Sequence, residues 1–219
     1  QNEDFEKYPR NIEQDLKVAR SAGAHILWAP SVEDVYPGQW PMDIETDPRF
    51  EILEGKSRSG HFAAVLEVVT RLFNIVQPNI AVFGEKDFQQ LVFISEMAKK
   101  REPQIGILAV PTKRDFDGLA LSSRNVYLSS DQRNVAHLIP DALKQGVLLA
   151  SKSANPQEIK ESVKEVISKS NLIEIEYVEI LNNELNELIP GVVGRILIAA
   201  KLGNTRLIDN MPILLKEKS

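Results

Sequence analysis

Between Asn79 and Val110 the chain reads strand, loop, helix, strand. The apolar run Asn79-Ile80-Ala81-Val82 leads into Phe83-Gly84-Glu85-Lys86-Asp87-Phe88-Gln89-Gln90-Leu91. A helical stretch over residues 91–101 follows, then a second buried strand, Ile105-Gly106-Ile107-Leu108-Ala109-Val110. Strands alternating with amphipathic helices predict a mostly parallel sheet covered on both faces. In such a sheet, ligands bind beyond the carboxyl ends of the strands. The loop of residues 83–91 falls there. Helix N–H groups and the positive end of the helix dipole favour an anion at that point. Lys86 adds a point charge suited to phosphate, and the amides of Gln89 and Gln90, if not simply on the helix surface, suit a hydroxy acid.

Upstream, Phe62, Val65, Leu66, Val69, Leu72, Phe73 and Val76 keep helical spacing until Pro78 stops the helix. Arg58-Ser59-Gly60-His61 leads into it, with Gly60 as N-cap and an arginine and a histidine beside a helix end. Earlier still, Asn11-Ile12-Glu13-Gln14 reads as a capped helix start, Gly23 as its stop, and residues 25–29 as a short strand ended by Pro30. After Pro111 the pattern changes. Leu121-Ser122-Ser123-Arg124-Asn125 is a second polar knot, two hydroxyls beside an arginine, suited to phosphate. Ser129 is predicted to cap one long helix running to about Ala150, and Asn155-Pro156 opens another. Ile173, Ile175 and Tyr177 alternate, Val178 and Ile180 do so less regularly, and residues 195–200 and 205–209 are two further strand candidates. Helices followed by a run of strands predict a smaller α+β domain. The expected division is near Lys113, into residues 1–112 and 113–219.

The chain has 219 residues, no cysteine and a formal net charge of −5. That charge argues against non-specific nucleic-acid binding. The lack of cysteine excludes disulfides and thiolate metal sites and is compatible with a reducing compartment. Three histidines, His25, His61 and His137, do not make a zinc site, so no protein-held metal is expected. No apolar run is of membrane-spanning length. No Walker A loop, dinucleotide fingerprint or G-x-S-x-G elbow is present.

Taken together these segments resemble the pantoate–β-alanine ligase family. The matching pieces are Glu3-Asp4-Phe5-Glu6-Lys7-Tyr8-Pro9-Arg10, Asp34-Val35-Tyr36-Pro37-Gly38, Glu54-Gly55-Lys56-Ser57-Arg58-Ser59-Gly60-His61-Phe62, Leu72-Phe73-Asn74-Ile75-Val76-Gln77-Pro78, the loop of residues 83–91, Gly118-Leu119-Ala120-Leu121-Ser122-Ser123-Arg124-Asn125-Val126-Tyr127-Leu128, and Arg206-Leu207-Ile208-Asp209-Asn210. The resemblance implies a Rossmann-like α/β nucleotidyltransferase of the adenylate-forming kind, similar to class I aminoacyl-tRNA synthetases, with a smaller α+β C-terminal lid. It implies condensation of pantoate with β-alanine through pantoyl adenylate, with ATP and Mg2+, releasing AMP and pyrophosphate. It further implies a cytoplasmic homodimer that binds neither nucleic acid nor membrane.

By the same resemblance, Gly84, Lys86 and Asp87 match nucleotide-binding positions, and the backbone of Lys113 matches an adenine-contacting one. Ser122, Ser123 and Arg124 match the loop that handles the ATP phosphates. Gln90 matches a pantoate-binding glutamine, Arg58 and His61 line the site, and Tyr8 lies on a nearby loop. Two departures stand out: Ser59 where the family has proline, expected to loosen that loop, and Leu121 where methionine is common. The family's leading histidine motif and its N-P-x-Q-F segment lie upstream of anything present. The chain is therefore expected to lack an N-terminal part, and by itself to be inactive and prone to aggregate. Two alternatives stay open: another adenylyltransferase of the same superfamily, and a non-catalytic nucleotide-binding module.

Overall fold

The structure is a computed structural model that describes residues 11–38, 43–152 and 155–217, in two compact units, Gln1–Asp43 and Ile44–Ser219. In the first unit, α1 (Ile12–Ser21) starts where Asn11 accepts a 3.0 Å hydrogen bond from the Gln14 amide. It stops before Gly23, whose φ of +85° is readily reached only without a side chain. The strand expected at residues 25–29 does not form, and Ile26 is 84% exposed. Its apolar content fits a strand, but no ladder partner exists for it among the described residues, and a lone strand leaves its backbone unpaired. A single turn, α2 (Val32–Val35), follows behind a Ser31–Asp34 capping box.

The second unit opens with a 3-10 turn, Pro48–Glu51, then a one-turn helix, α3 (Glu54–Ser57), and α4 (His61–Val76), whose N-cap is Gly60, as expected. β1 (Ile80–Gly84), α5 (Phe88–Arg101) and β2 (Gly106–Val110) complete the predicted strand–helix–strand unit. β1 and β2 are parallel and in register from Ile80↔Gly106 to Gly84↔Val110. Ala81, Phe83 and Ile107 pack onto a core built from Phe62, Leu66, Val69 and Phe73 of α4 and Leu91, Phe93, Ile94 and Met97 of α5. The expectation of a sheet covered on both faces does not hold for the described residues. Ile80, Val82, Leu108 and Val110, on the opposite pleat, remain exposed.

The long helix expected from Ser129 is two helices, α6 (Ser130–Val135) and α7 (Leu138–Ala150). Pro140 explains the break. It has no N–H for the Ala136 carbonyl four residues back, and its ring would collide with that carbonyl. The Ile139 amide takes that carbonyl instead, at 3.1 Å, and Pro140 sits in the first turn of a new helix. α8 (Pro156–Ile167) begins at the Asn155 cap. β3 (Ile173–Asn182), β4 (Val193–Leu202) and β5 (Thr205–Leu214) form an antiparallel sheet in that order.

The register of β3 against β4 shifts between Ile175 and Tyr177, which leaves Glu176 as an extra residue. This bulge explains the uneven alternation of the sequence. Ile173 and Ile175 before it, and Val178 and Ile180 after it, all join the same core with α7 and α8. The other face of the sheet carries Tyr177, Leu181 and Leu197 into the first core. The sheet is therefore a wall shared by two cores.

Candidate active site

Because β1 and β2 run parallel and in register, the segments that follow Gly84 and Val110 leave from one carboxyl edge. The first is a tight 3-10 turn, Glu85–Asp87, that passes directly into α5. Asp87 is the N-cap of α5 but makes no capping hydrogen bond, and the first turn carries no acidic residue. The free amides and dipole of this end are thus not neutralised from within the helix.

One cleft gathers this turn with the α3–α4 segment and the inner face of the antiparallel sheet. Arg58, His61, Lys86, Asp87 and Gln90 line it together with Glu54, Gln89, Tyr177, Ile208, Asp209 and Asn210, around a space of about 30 Å3. Five of the residues expected at a site thus meet, from segments far apart in sequence. The side chains of Lys86, Asp87 and Gln90 make no hydrogen bond or ion pair among the described residues.

The two adjacent glutamines are not equivalent. Gln89, open at the sequence level to a place on the helix surface, is buried. Its amide nitrogen donates to the carbonyls of Arg49 (2.9 Å) and Ile52 (3.0 Å), and its oxygen accepts from the Glu54 amide at 3.1 Å. It staples the segment before α3 onto α5. Gln90, one residue on, faces the cleft.

Glu54 is the hub of the opposite wall. Arg206 of β5 grips it with two hydrogen bonds, 2.5 and 2.8 Å, and the Tyr177 hydroxyl of β3 donates to it at 2.8 Å. Burial, then the charge of Glu54, holds the Tyr177 phenol far above its ordinary value, so it is a neutral donor. Burial opposes the charge on Arg206, yet its bonds to Glu54 and Glu176 outweigh that and keep the guanidinium ionised. The bulge at Glu176 aims that carboxylate at both Arg206 and Lys201.

Next along β5, burial pushes the Asp209 carboxyl up, against a two-pronged grip from Arg114 at 2.7 and 2.9 Å. Glu54, Tyr177, Arg206 and Asp209 received no individual role from sequence. Glu54, Arg206 and Asp209 lay inside segments that carried the resemblance, which was the available signal. Tyr177 was visible only as one residue of a strand.

Gly84, Lys113, Ser122, Ser123 and Arg124 do not line the cleft. Gly84 has φ −78°, and a Cβ added there would meet nothing within 4 Å. Neither backbone nor packing demands glycine, and the space beside it is open. Ser122 caps a 3-10 helix, Ser123–Tyr127, through a 3.2 Å bond from the Arg124 amide. The Asn125 side-chain oxygen in this turn is buried without a partner among the described residues. Tyr8 lies outside the described residues.

The family model described as Pantoate-beta-alanine ligase matches residues 1–212. This chain belongs to the pantoate–β-alanine ligase family. A pantothenate synthetase from Acetivibrio thermocellus is 41% identical over 213 residues, which cover 96% of this chain and 76% of that protein. One from Nocardioides sp. is 43% identical over 98% of this chain and 65% of its own length. Among solved structures, pantothenate synthetase from Thermus thermophilus matches with a TM-score of 0.87 at 36% identity, over 96% of this chain and 77% of that one. Pantoate-beta-alanine ligase from Francisella tularensis, crystallised with beta-gamma ATP and beta-alanine, matches with a TM-score of 0.75 at 34% identity, over 99% and 74%. The chain thus spans about two thirds to three quarters of the relatives it matches. The expected fold class is borne out: the family's nucleotidyltransferase-like α/β architecture, with a parallel pair and a separate small antiparallel sheet.

Proposed function

We propose that this chain serves the chemistry of its family, the ATP-dependent condensation of pantoate with β-alanine to pantothenate. The observation that carries this reading is the convergence of Lys86, Asp87, Gln90, Arg58 and His61 on one cleft at a helix N-terminus. A carboxylate attacking the α-phosphorus of ATP brings two anions together. Cations and helix amides must offset that repulsion and stabilise charge on the phosphoryl oxygens. Lys86 and the start of α5 supply this from the cleft, with Gly84 leaving room for the nucleotide. Ser122, Ser123 and Arg124 approach the phosphates from their own turn, and the Lys113 backbone meets adenine. Gln90 orients pantoate, with Arg58 and His61 beside it, and Tyr8 belongs to the same assignment. The acyl adenylate gives the carboxyl a good leaving group, and the amine of β-alanine displaces AMP.

Magnesium fits this site as a companion of the ATP phosphates. Among the described residues no cluster of three ligating side chains occurs, and Mg2+ is usually held by phosphates, water and one or two carboxylates. Of the carboxylates lining the cleft, Glu54 is committed to Arg206 and Asp209 to Arg114, which leaves Asp87. Bound there, the ion would draw off phosphate charge.

The cleft is far smaller than the roughly 300–1,000 Å3 of ordinary ligand pockets. Residues 113–219 accordingly act as a lid that lifts for substrates and closes to keep water from the adenylate. The same proposal places the enzyme in the cytoplasm as a homodimer.

In the full-length protein, AMP release should depend on both pantoate and β-alanine. Lys86→Met should slow adenylate formation by about 100- to 1,000-fold, the usual cost of one charge-stabilising donor. A single-turnover rate within a few-fold of the parent would refute the role of Lys86. AMP release indifferent to pantoate would refute the reaction and favour another adenylyltransferase.

A further inference from the structure

Asn210 is buried on β5, and each polar atom of its side chain is engaged. Its amide nitrogen donates to the carbonyls of Glu85 (2.9 Å) and Lys86 (3.0 Å). Its oxygen accepts from Arg195 at 2.8 Å. Arg195 in turn pairs with Glu85 at 2.8 Å and lies over the Phe88 ring, 4.5 Å from its centre. These contacts fall on both sides of Lys86 and on its own carbonyl, yet among the described residues its ammonium makes no hydrogen bond or ion pair. Next to it, Asp209 anchors Arg114 and so the segment after β2.

We infer that Asn210 is a positioning residue for Lys86: it fixes the backbone of the 85–87 turn so that the ammonium meets the ATP phosphates. The inference rests on the reading of Lys86 given above. The chemistry of the site selects asparagine. Two carbonyls need donors and Arg195 needs an acceptor, and only a carboxamide of this length offers both. Aspartate would set an anionic oxygen against two carbonyl oxygens. Alanine would leave the turn unfastened. A misplacement near 1 Å at a reacting group costs about 100-fold in rate, and a 3-10 turn released from two hydrogen bonds moves on that scale.

The test is a double-mutant cycle in the full-length protein, reading single-turnover adenylate formation, ATP affinity by calorimetry and the KM for β-alanine. Asn210→Ala should slow adenylate formation by about 10- to 100-fold, and Asn210→Asp by more. The KM for β-alanine should move by less than about threefold in either. In the Lys86→Met background, Asn210→Ala should cost less than about threefold, because residues that act as one unit are not additive.

The same fold loss in both backgrounds would overturn the inference, as would a loss of adenylate rate matched by an equal rise in the KM for β-alanine. Should Asn210→Ala not fold, Asn210→Ser, which retains a donor, is read through the same cycle. A parent protein that binds ATP but forms no adenylate would refute the reaction instead. The ATP affinities of the cycle would then still decide the role of Asn210.

Discussion

Gln89 and Gln90 are neighbours with the same side chain, and they should fail in opposite ways. In Gln89→Leu, the carbonyls of Arg49 and Ile52 lose their donor and the Glu54 amide loses its acceptor. A stranded polar group costs about 1–3 kcal/mol when buried. These three are partly buried, so water recovers some of that, and about 3 kcal/mol in total is expected. For a chain of this size that corresponds to a fall in Tm of about 6–12 °C.

Gln90→Leu breaks no hydrogen bond among the described residues. Its stability should stay within about 0.5 kcal/mol of the parent. Its affinity for pantoate should fall by about 10- to 100-fold, the value of one hydrogen bond to a charged group, while ATP affinity changes little. Scanning calorimetry and titration calorimetry on the full-length protein measure both effects. Equal loss of Tm in the two variants, or equal loss of pantoate and ATP affinity in Gln90→Leu, would refute this division of labour.

Two other positions give independent checks. A Cβ on Gly55 would lie 1.7 Å from the Phe50 carbonyl oxygen. Gly55→Ala should therefore cost at least about 3 kcal/mol, read as a lower urea midpoint, and an unchanged midpoint would show that the 50–55 segment gives way freely. Arg133 holds the Asp117 carboxyl below the usual carboxylate range, chiefly by its hydrogen bond. A depressed carboxyl favours the fold above its ordinary value near 3.8 and loses that contribution as pH falls through the native value. The contribution of this ion pair should thus be level above about pH 5 and fall away below about 4; in Arg133→Met the acid decline should be shallower, and an identical acid limb would contradict the assignment.

The parallel pair, α4 and α5 were legible because their period is local: apolar residues recur at strand and helix spacing, and Gly60 and Pro78 bracket α4. The cleft was half legible for the same reason. Residues 58–61 and 84–90 lie beside helix starts that sequence marks plainly. Glu54, Tyr177 and Arg206 were not, since their pairing joins residues separated by 123 and 152 positions. Nothing local distinguishes a salt-bridged hub from a solvated surface charge. The break between α6 and α7 was legible in principle, because Pro140 sits within the run read as one helix. The bulge at Glu176 left a trace, the faltering alternation after Tyr177, that only a ladder partner makes interpretable.

The antiparallel sheet has consequences for residues that never see a substrate. It is one strand thick between the α7–α8 core and the cleft. A Cβ on Gly146 of α7 would lie 2.7 Å from Ile196 Cδ1, on β4. The chain neighbours of Ile196 are Arg195, which braces the Lys86 turn, and Leu197, which lines the cleft. A single methyl on a remote helix therefore pushes on the partition, and the far side of that partition is the ceiling of the cleft. Random variants selected for altered turnover should include α7 and α8 positions, reached through the wall and not along any loop.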